Sequence, residues 1–326
     1  MFKALLLEQQ DGATRAQVTE LDESQLPEGE VRVAVQYSSL NFKDGLAITG
    51  SGPIVRKWPM VPGIDLVGTV LDSTDSRYAA GDAVVLTGWG VGEGHWGGMA
   101  GQARLKADWL LPLPAGLTPQ QSMQIGTAGL TAMLCVMALQ EAGVTPEQGE
   151  VLVTGASGGV GSVAVTLLAQ LGYQVVAATG RADNEAYLLG LGASRVVGRD
   201  TLAGPVKALD RQLWAGAVDT VGSSLLAKVL SQVKYQGAVA ACGLAAGADL
   251  PTSVMPFILR NVRLQGVDSV MCPLPRRQQA WAQLAALLPA SFYAQACREV
   301  DLSGVIDAAA EIVNGQVTGR VLVRCD

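Results

Sequence analysis

The run Val151-Leu152-Val153-Thr154-Gly155-Ala156-Ser157-Gly158-Gly159-Val160-Gly161 restricts this chain more than any other stretch. Three consecutive apolar β-formers predict a buried strand, and Val160 to Leu171 predicts a helix, so the glycines fall in the turn between them. Gly155, Gly158 and Gly161 follow G-x-x-G-x-x-G rather than G-x-G-x-x-G, but the physics is shared. A tight turn lets backbone approach closely, and the unpaired N–H groups of a helix N-terminus favour a pyrophosphate. Gln174 to Ala178 supplies the second strand of a βαβ unit. Strand candidates at 195–197, 217–221, 238–242 and 262–267 extend it toward six parallel strands, with crossover segments expected at Leu202–Leu213 and Leu225–Val233. Gly204-Pro205 interrupts the first of these.

The choice of dinucleotide follows from the end of the second strand. Where an NAD-binding unit often carries an acid for the ribose diol, this chain has Thr179-Gly180-Arg181. A missing acid and an available guanidinium favour a 2'-phosphate, hence NADPH, although a solvent-facing arginine would leave the same signature. The expected cofactor-binding residues of this segment are Gly155, Ser157, Gly158, Gly159, Val160, Gly161, Thr179 and Arg181. Cys242, Gly243 and Leu244 leave a later strand and would shape the nicotinamide pocket, with Gly243 permitting close backbone approach.

Residues 1 to about 120 read differently. Short β-rich runs at 31–35, 68–70 and 83–86 alternate with Gly and Pro turns, and Pro112, Pro114, Gly116 and Pro119 punctuate the exit. Ala128 to Ala142 then predicts a helix, Arg276 to Leu288 an amphipathic helix, Leu302 to Val313 another, and Arg320 to Val323 a strand that returns to the first module.

Composition narrows the chemistry. With one histidine, His95, neither a histidine-rich metal centre nor a Ser/His/Asp or Cys/His constellation can recur, and His95 reads as a loop hydrogen-bonder. Cys135, Cys242, Cys272, Cys297 and Cys325 lack metal-ligand spacing and fit reduced thiols of a cytoplasmic protein. A net charge of -6 with no basic tract argues against nucleic acid and anionic membrane as partners. Glu8 and Asp11 interrupt the N-terminus too early for a signal peptide, and no uninterrupted apolar span of 18 residues appears.

Three further motifs join the glycine loop: Ser39-Leu40-Asn41-Phe42-Lys43-Asp44, Val61-Pro62-Gly63-Ile64-Asp65-Leu66-Val67-Gly68 and Ile125-Gly126-Thr127-Ala128-Gly129-Leu130-Thr131-Ala132. Together they resemble the quinone-oxidoreductase-like branch of the medium-chain dehydrogenase/reductase superfamily. The run Pro256 to Ser269 looks closer still to the bacterial acryloyl-CoA reductase subfamily. The resemblance implies an α/β chain with a GroES-like β-rich catalytic domain at 1–122, completed by 297–326, and a Rossmann cofactor-binding domain at 123–296. It also implies a homodimer and a nicotinamide in the interdomain cleft. Zinc-dependent relatives place a ligand histidine where Gly63-Ile64-Asp65 stands here, and no cysteine precedes Cys135, so no metal site is expected.

Without zinc, hydride transfer from NADPH to an electron-poor carbon–carbon double bond or a quinone fits best. Acryloyl-CoA is the leading substrate, another small activated alkene or a quinone the alternative, and a non-catalytic dinucleotide-binding protein the reading from a different class. Asn41, Asp44 and Lys43 are the candidate catalytic residues: Asn41 to orient nicotinamide or substrate, Asp44 to organise hydrogen bonds, Lys43 to stabilise charge. An Asx-type cap or a surface lysine would explain the same residues. Thr127 and Thr131 would contact the cofactor or cap a helix. Arg260, Arg263, Arg276 and Arg277 offer charge for a CoA phosphate or form a solvated basic face.

Overall fold

A computed structural model describes residues 1–325. Its first elements are β1 (Phe2–Gln10), β2 (Ala13–Leu21), β3 (Val31–Leu40), α1 (Phe42–Thr49), β4 (Asp65–Ser73), β5 (Ala83–Thr87), β6 (Gln102–Leu105), β7 (Leu111–Pro112) and α2 (Pro119–Glu141). There follow β8 (Val151–Val153), α3 (Gly159–Gln170), β9 (Val175–Thr179), α4 (Glu185–Gly190), β10 (Arg195–Gly198), β11 (Trp214–Asp219), α5 (Ser223–Gln232), β12 (Val233–Ala241) and α6 (Met255–Arg260). The chain ends with β13 (Arg263–Gly266), α7 (Leu274–Leu287), α8 (Ala290–Gln295), β14 (Cys297–Asp301), α9 (Val305–Val313) and β15 (Arg320–Arg324).

Two compact units form. Residues 1–127, 269–285 and those from Ala296 on make the first; 128–268 and 286–295 make the second. In the first unit the sheet order is β14-β15-β3-β4-β5-β7, with β6 also paired to β3 and a separate β1-β2 hairpin. Val31, Val33 and Val35 alternate inward on β3, the period of a strand with one buried face. The C-terminal strand β15 returns as its sequence suggests, antiparallel to β3 with Val321 opposite Leu40. Helices α1 and α9 approach so closely that a β-carbon on Gly45 would lie 2.6 Å from Ile312 Cγ2.

Ser269–Ala285 is grouped with this first unit. Arg277, 1% exposed, is one reason: its guanidinium donates to the Thr87 carbonyl and hydroxyl at 2.7 Å each and to the carbonyls of Ser269, Val270 and Cys272, over the ring of Trp89. That corrects its reading as a solvated or phosphate-facing cation. Arg260 is likewise spent on the carbonyls of Ser231, Val233 and Asp210.

In the second unit six strands are all parallel, in the order β10-β9-β8-β11-β12-β13. Val151, Leu152 and Val153 are fully buried, as an interior parallel strand requires. The direction of winding reverses between β8 and β11, and the glycine turn leaves β8 at that switch point, where open α/β sheets bind ligands.

Two expectations need correction. No helix covers Leu202–Leu213; a short 3-10 turn at Arg199–Leu202 ends before Gly204, whose φ of +93° and following proline stop propagation. The helix expected from Ala128 begins at Pro119 and is broken at Gly126, at φ 53° and ψ -158°. An 18-residue window of this helix, at mean hydropathy 1.5, is apolar enough to cross a membrane, yet 89% of that window is buried inside the protein.

Candidate active site

In the second unit the glycine turn is shaped by its own backbone. Gly155 has φ +58°, and a β-carbon there would sit 2.2 Å from Thr220 Oγ1; one on Gly161 would sit 2.3 Å from the Gly155 carbonyl oxygen. Both positions therefore need glycine for packing. Gly158 is different: its φ is -81°, and a β-carbon would touch only the Gly155 carbonyl, at 3.3 Å. Beyond its chain neighbours, no other protein atom lies within 4 Å of that position. Gly158 is the N-cap of α3 and no side chain caps that helix, so the first-turn N–H groups, beginning at Gly159 and Val160, suit a pyrophosphate.

The residues expected at the ribose converge. Ser157 Oγ and Thr179 Oγ1 are 3.1 Å apart, and Arg181 Nη2 donates to Ser157 Oγ at 3.0 Å while its backbone N–H donates to Thr179 Oγ1. Partial burial draws the Arg181 guanidinium below its ordinary pKa, offset in part by Tyr187. Sequence reasoning missed a second cation. A β-carbon on Gly180 would lie 2.5 Å from Arg199 Nη2 and 2.9 Å from its Cζ, so Arg199 leans on the same turn. The signal was available: Gly198 pairs with Thr179, which sets the residue after β10 beside the residue after β9.

At the end of β12 the Cys242 thiol donates to the Asp219 carbonyl at 3.5 Å, and Leu244 is exposed. Gly243 does allow a close approach, but to the chain itself: its β-carbon would lie 2.2 Å from the Thr220 carbonyl oxygen. Thr131 is buried within α2.

The first unit holds a buried polar network around the start of α1. Asp44 Oδ2 accepts from the backbone N–H and side-chain Nδ2 of Asn41, and its Oδ1 accepts from the N–H groups of Gly63 and Ile64 at 3.1 and 3.0 Å. Burial and then the Asp65 carboxylate push Asp44 up to about 7, against those hydrogen bonds. Asp65, which sequence reasoning did not single out, is the hub. Its Oδ1 accepts from Ser39 N–H; its Oδ2 accepts from Ser39 Oγ at 2.7 Å, Asn41 Nδ2 at 3.0 Å and Thr127 N–H at 2.9 Å. Arg320, 2% exposed, donates to Ser39 Oγ and to Asn41 Oδ1. This network explains the broken helix: a β-carbon on Gly126 would fall within 2.7 Å of Ser39, Arg320 and Asp65 together.

Lys43 points elsewhere, pairing with Glu93 at 2.8 Å, and Arg56 approaches the same carboxylate. His95 Nε2 donates to the Arg104 carbonyl at 2.7 Å, and its ring meets Trp109 edge-on, consistent with a loop hydrogen-bonder. Among the described residues no three His, Cys, Asp or Glu side chains gather as metal ligands would.

A family model for the alcohol dehydrogenase GroES-like domain matches residues 27–115, and one for zinc-binding dehydrogenases matches 159–289. The chain is 63% identical over 323 residues to the probable acrylyl-CoA reductase AcuI of Escherichia coli, covering 99% of each. It is 44% identical over 326 residues, 99% of each, to the putative quinone oxidoreductase YhfP of Bacillus subtilis, whose NAD-bound structure superposes at a TM-score of 0.96, with 43% identity and 99% of each chain covered. The yhdH oxidoreductase of Salmonella enterica in complex with NADP matches at a TM-score of 0.98 with 62% identity, over 99% of this chain and 100% of that one.

Proposed function

This chain belongs to the quinone-oxidoreductase-like branch of the medium-chain dehydrogenase/reductase superfamily, and from that premise we propose that it reduces the carbon–carbon double bond of acryloyl-CoA to propanoyl-CoA with NADPH. It is an oxidoreductase built from a GroES-like β-rich part and a Rossmann-type part. The observation that carries the substrate reading is the end-to-end 63% identity to the Escherichia coli acrylyl-CoA reductase. A quinone or another activated alkene is the second reading, favoured by the 44% identity to the Bacillus subtilis protein.

NADPH, when bound, supplies the hydride. The uncapped start of α3 would receive the pyrophosphate, and Arg181 and Arg199 flank the turn that would take the 2'-phosphate, with Ser157 and Thr179 beside them. This donor set fits a phosphorylated ribose. Hydride addition at the β-carbon of the thioester leaves negative charge on its oxygen, and a proton then reaches the α-carbon. Asn41 and Asp44 position rather than donate: each oxygen of Asp44 already accepts from N–H groups, and both ends of the Asn41 amide are engaged within the network. Lys43, with a third of its side chain exposed, is the one of the three that meets solvent, and its charge is shared with Glu93.

The homodimer is part of the same reading. Strand β13 ends the sheet, and Val254, Ile258 and Leu259 at α6 are 65%, 68% and 53% exposed beside it, an apolar face that a second copy would cover. Light scattering should report twice the chain mass. A cytoplasmic location belongs to the same reading, supported by five cysteines that form no disulfide among the described residues. Turnover is tested by initial NADPH oxidation with acryloyl-CoA, longer enoyl-CoAs, free acrylate and quinones, with products identified by mass spectrometry. Propanoyl-CoA formation as the fastest reaction supports the proposal; efficient quinone turnover alone rejects it.

A further inference from the structure

A groove beside the end of α1 has no part in the site described above. It measures about 430 Å³ and lies between the β1-β2 hairpin, which contributes Gln9 and Thr14, and the segment leaving α1, which contributes Ser51, Val55 and Trp58. Both ends of that segment are pinned. Gly50 closes α1 at φ +69°, where a β-carbon would lie 2.8 Å from Thr14 Oγ1, and Met60 exchanges backbone hydrogen bonds with Leu7 of β1 at 2.7 and 2.9 Å. The Trp58 ring packs partly buried against the core of the first unit, so one wall of the groove is a fixed aromatic surface.

Cations gather at the mouth of this groove. Arg56 and Lys57 stand between the lining residues Val55 and Trp58, and both are exposed, Arg56 with 75% of its side chain open to solvent. The Arg56 N–H donates to the Glu93 carbonyl at 2.8 Å, and its guanidinium lies 3.5 Å from the Glu93 carboxylate, which Lys43 already pairs at 2.8 Å. One carboxylate thus serves two cations, and Lys57 forms no ion pair among the described residues. Positive charge is in excess here, on a chain whose net charge is -6. The same contacts set an order along the surface. Lys43 lies in the first turn of α1 beside Asn41 and Asp44, and the groove lies past the last turn, roughly 12 Å away at 1.5 Å per residue. Arg56 is tied to Lys43 through Glu93, so the cations stand between the two.

A reactive thioester, a flexible arm, phosphates and a planar base follow one another in that order in an acyl-CoA. We propose that the groove and the cations at its mouth hold the nucleotide end of coenzyme A, a 3'-phosphorylated adenosine diphosphate, with the adenine against Trp58 and the phosphates on Arg56 and Lys57. This rests on the thioester reading of the substrate given above. An indole face offers a stacking surface to a base, and the Gln9 amide and Thr14 hydroxyl supply donors and acceptors for its edge. The Arg56 guanidinium adds a planar fork that matches phosphate oxygens. Other arginines suited to that task are already engaged: Arg260, Arg263 and Arg277 all donate to backbone carbonyls. Contacts a helix length from the reacting atoms contribute to substrate capture rather than to the hydride step, so they belong in KM.

Calorimetry tests this with adenosine 3',5'-bisphosphate, titrated into the full-length protein while saturating NADP+ fills the dinucleotide site. One equivalent per chain should bind, and Arg56→Gln combined with Lys57→Gln should weaken it about tenfold or more, most at low salt. Steady-state kinetics give an independent readout. The double substitution should raise the KM for acryloyl-CoA toward that for acryloyl-pantetheine, the thioester that lacks the nucleotide. Bisphosphate that does not bind, that binds the double variant as tightly as the wild type, or that inorganic phosphate displaces at equal concentration, an adventitious ion only, overturns the proposal. So does a KM that rises equally for both thioesters. A wild type that binds the bisphosphate through Arg56 and Lys57 yet turns over neither thioester keeps the nucleotide site and refutes the substrate reading.

Discussion

Arg181→Ala and Arg199→Ala should separate the two nicotinamide dinucleotides. Each guanidinium flanks the Thr179-Gly180 turn, Arg181 held by its bond to Ser157 Oγ at 3.0 Å and Arg199 resting on Gly180. A hydrogen bond to a charged group contributes about 1.5–3 kcal/mol net, so losing either cation should raise the NADPH Kd by about 10- to 150-fold. Arg181 belongs toward the upper end, because it is partly buried and its head is already held in place. Arg199 is exposed and its contribution is screened, so it belongs toward the lower end and should shrink with added salt. NADH presents only a hydroxyl there, and its Kd should change by less than about threefold. The double substitution should cost less than the two single losses combined, since both cations address one phosphate. Titration of each variant with both nucleotides, at low and high salt, decides the matter. Equal losses for NADPH and NADH would refute a 2'-phosphate role for either arginine.

Other outcomes follow from the same geometry. Gly161→Ala, whose β-carbon would lie 2.3 Å from a carbonyl oxygen, should destabilise by about 1–3 kcal/mol or more in urea melts. Gly158→Ala should leave stability within about 1 kcal/mol while weakening both nucleotides, because its new methyl group meets protein only at the Gly155 carbonyl oxygen, 3.3 Å away. Asp44→Asn sets an amide nitrogen against two N–H donors and should cost about 3–5 kcal/mol, read from the same melts. The folded state raises Asp44 from 3.8 to about 7, so the associated stability is full below about pH 4 and is lost as pH rises through about 7, roughly 4 kcal/mol in all. The gap between wild type and Asp44→Asn should therefore narrow over that range, and a gap that widens would contradict the assigned direction.

The Rossmann-type half was legible because its signals are local. Three buried residues, a glycine turn and a helix occupy a single stretch of sequence, and parallel pairing follows from alternation. Gly155 and Gly161 announce themselves because backbone packing at those positions admits no side chain. The polar network of the other half was only half legible. Asn41 and Asp44 stand three residues apart and form part of a helix cap, so their motif drew notice, but Asp65 and Arg320 reach them from 24 and 279 residues away. No local pattern marks an arginine on a short C-terminal strand as the donor to Asn41. Arg277 misled for a related reason: next to Arg276 it reads as a surface pair, whereas only the fold turns one of the two inward to the carbonyls of Thr87 and Ser269. At Leu202–Leu213 the interruption at Gly204-Pro205 outweighs the apolar content, and only the short turn at Arg199–Leu202 forms.

Hydride from NADPH enters the double bond of an activated thioester in the proposed reaction. Turnover of acryloyl-CoA with NADPH carrying deuterium at the nicotinamide C4, tested for each of its two faces, locates that hydrogen directly by mass spectrometry of the product. Propanoyl-CoA with deuterium on the β-carbon is expected from one of the two labelled cofactors, and deuterium on the α-carbon when the reaction is run in heavy water instead. Propanoyl-CoA carrying no cofactor-derived deuterium would contradict it.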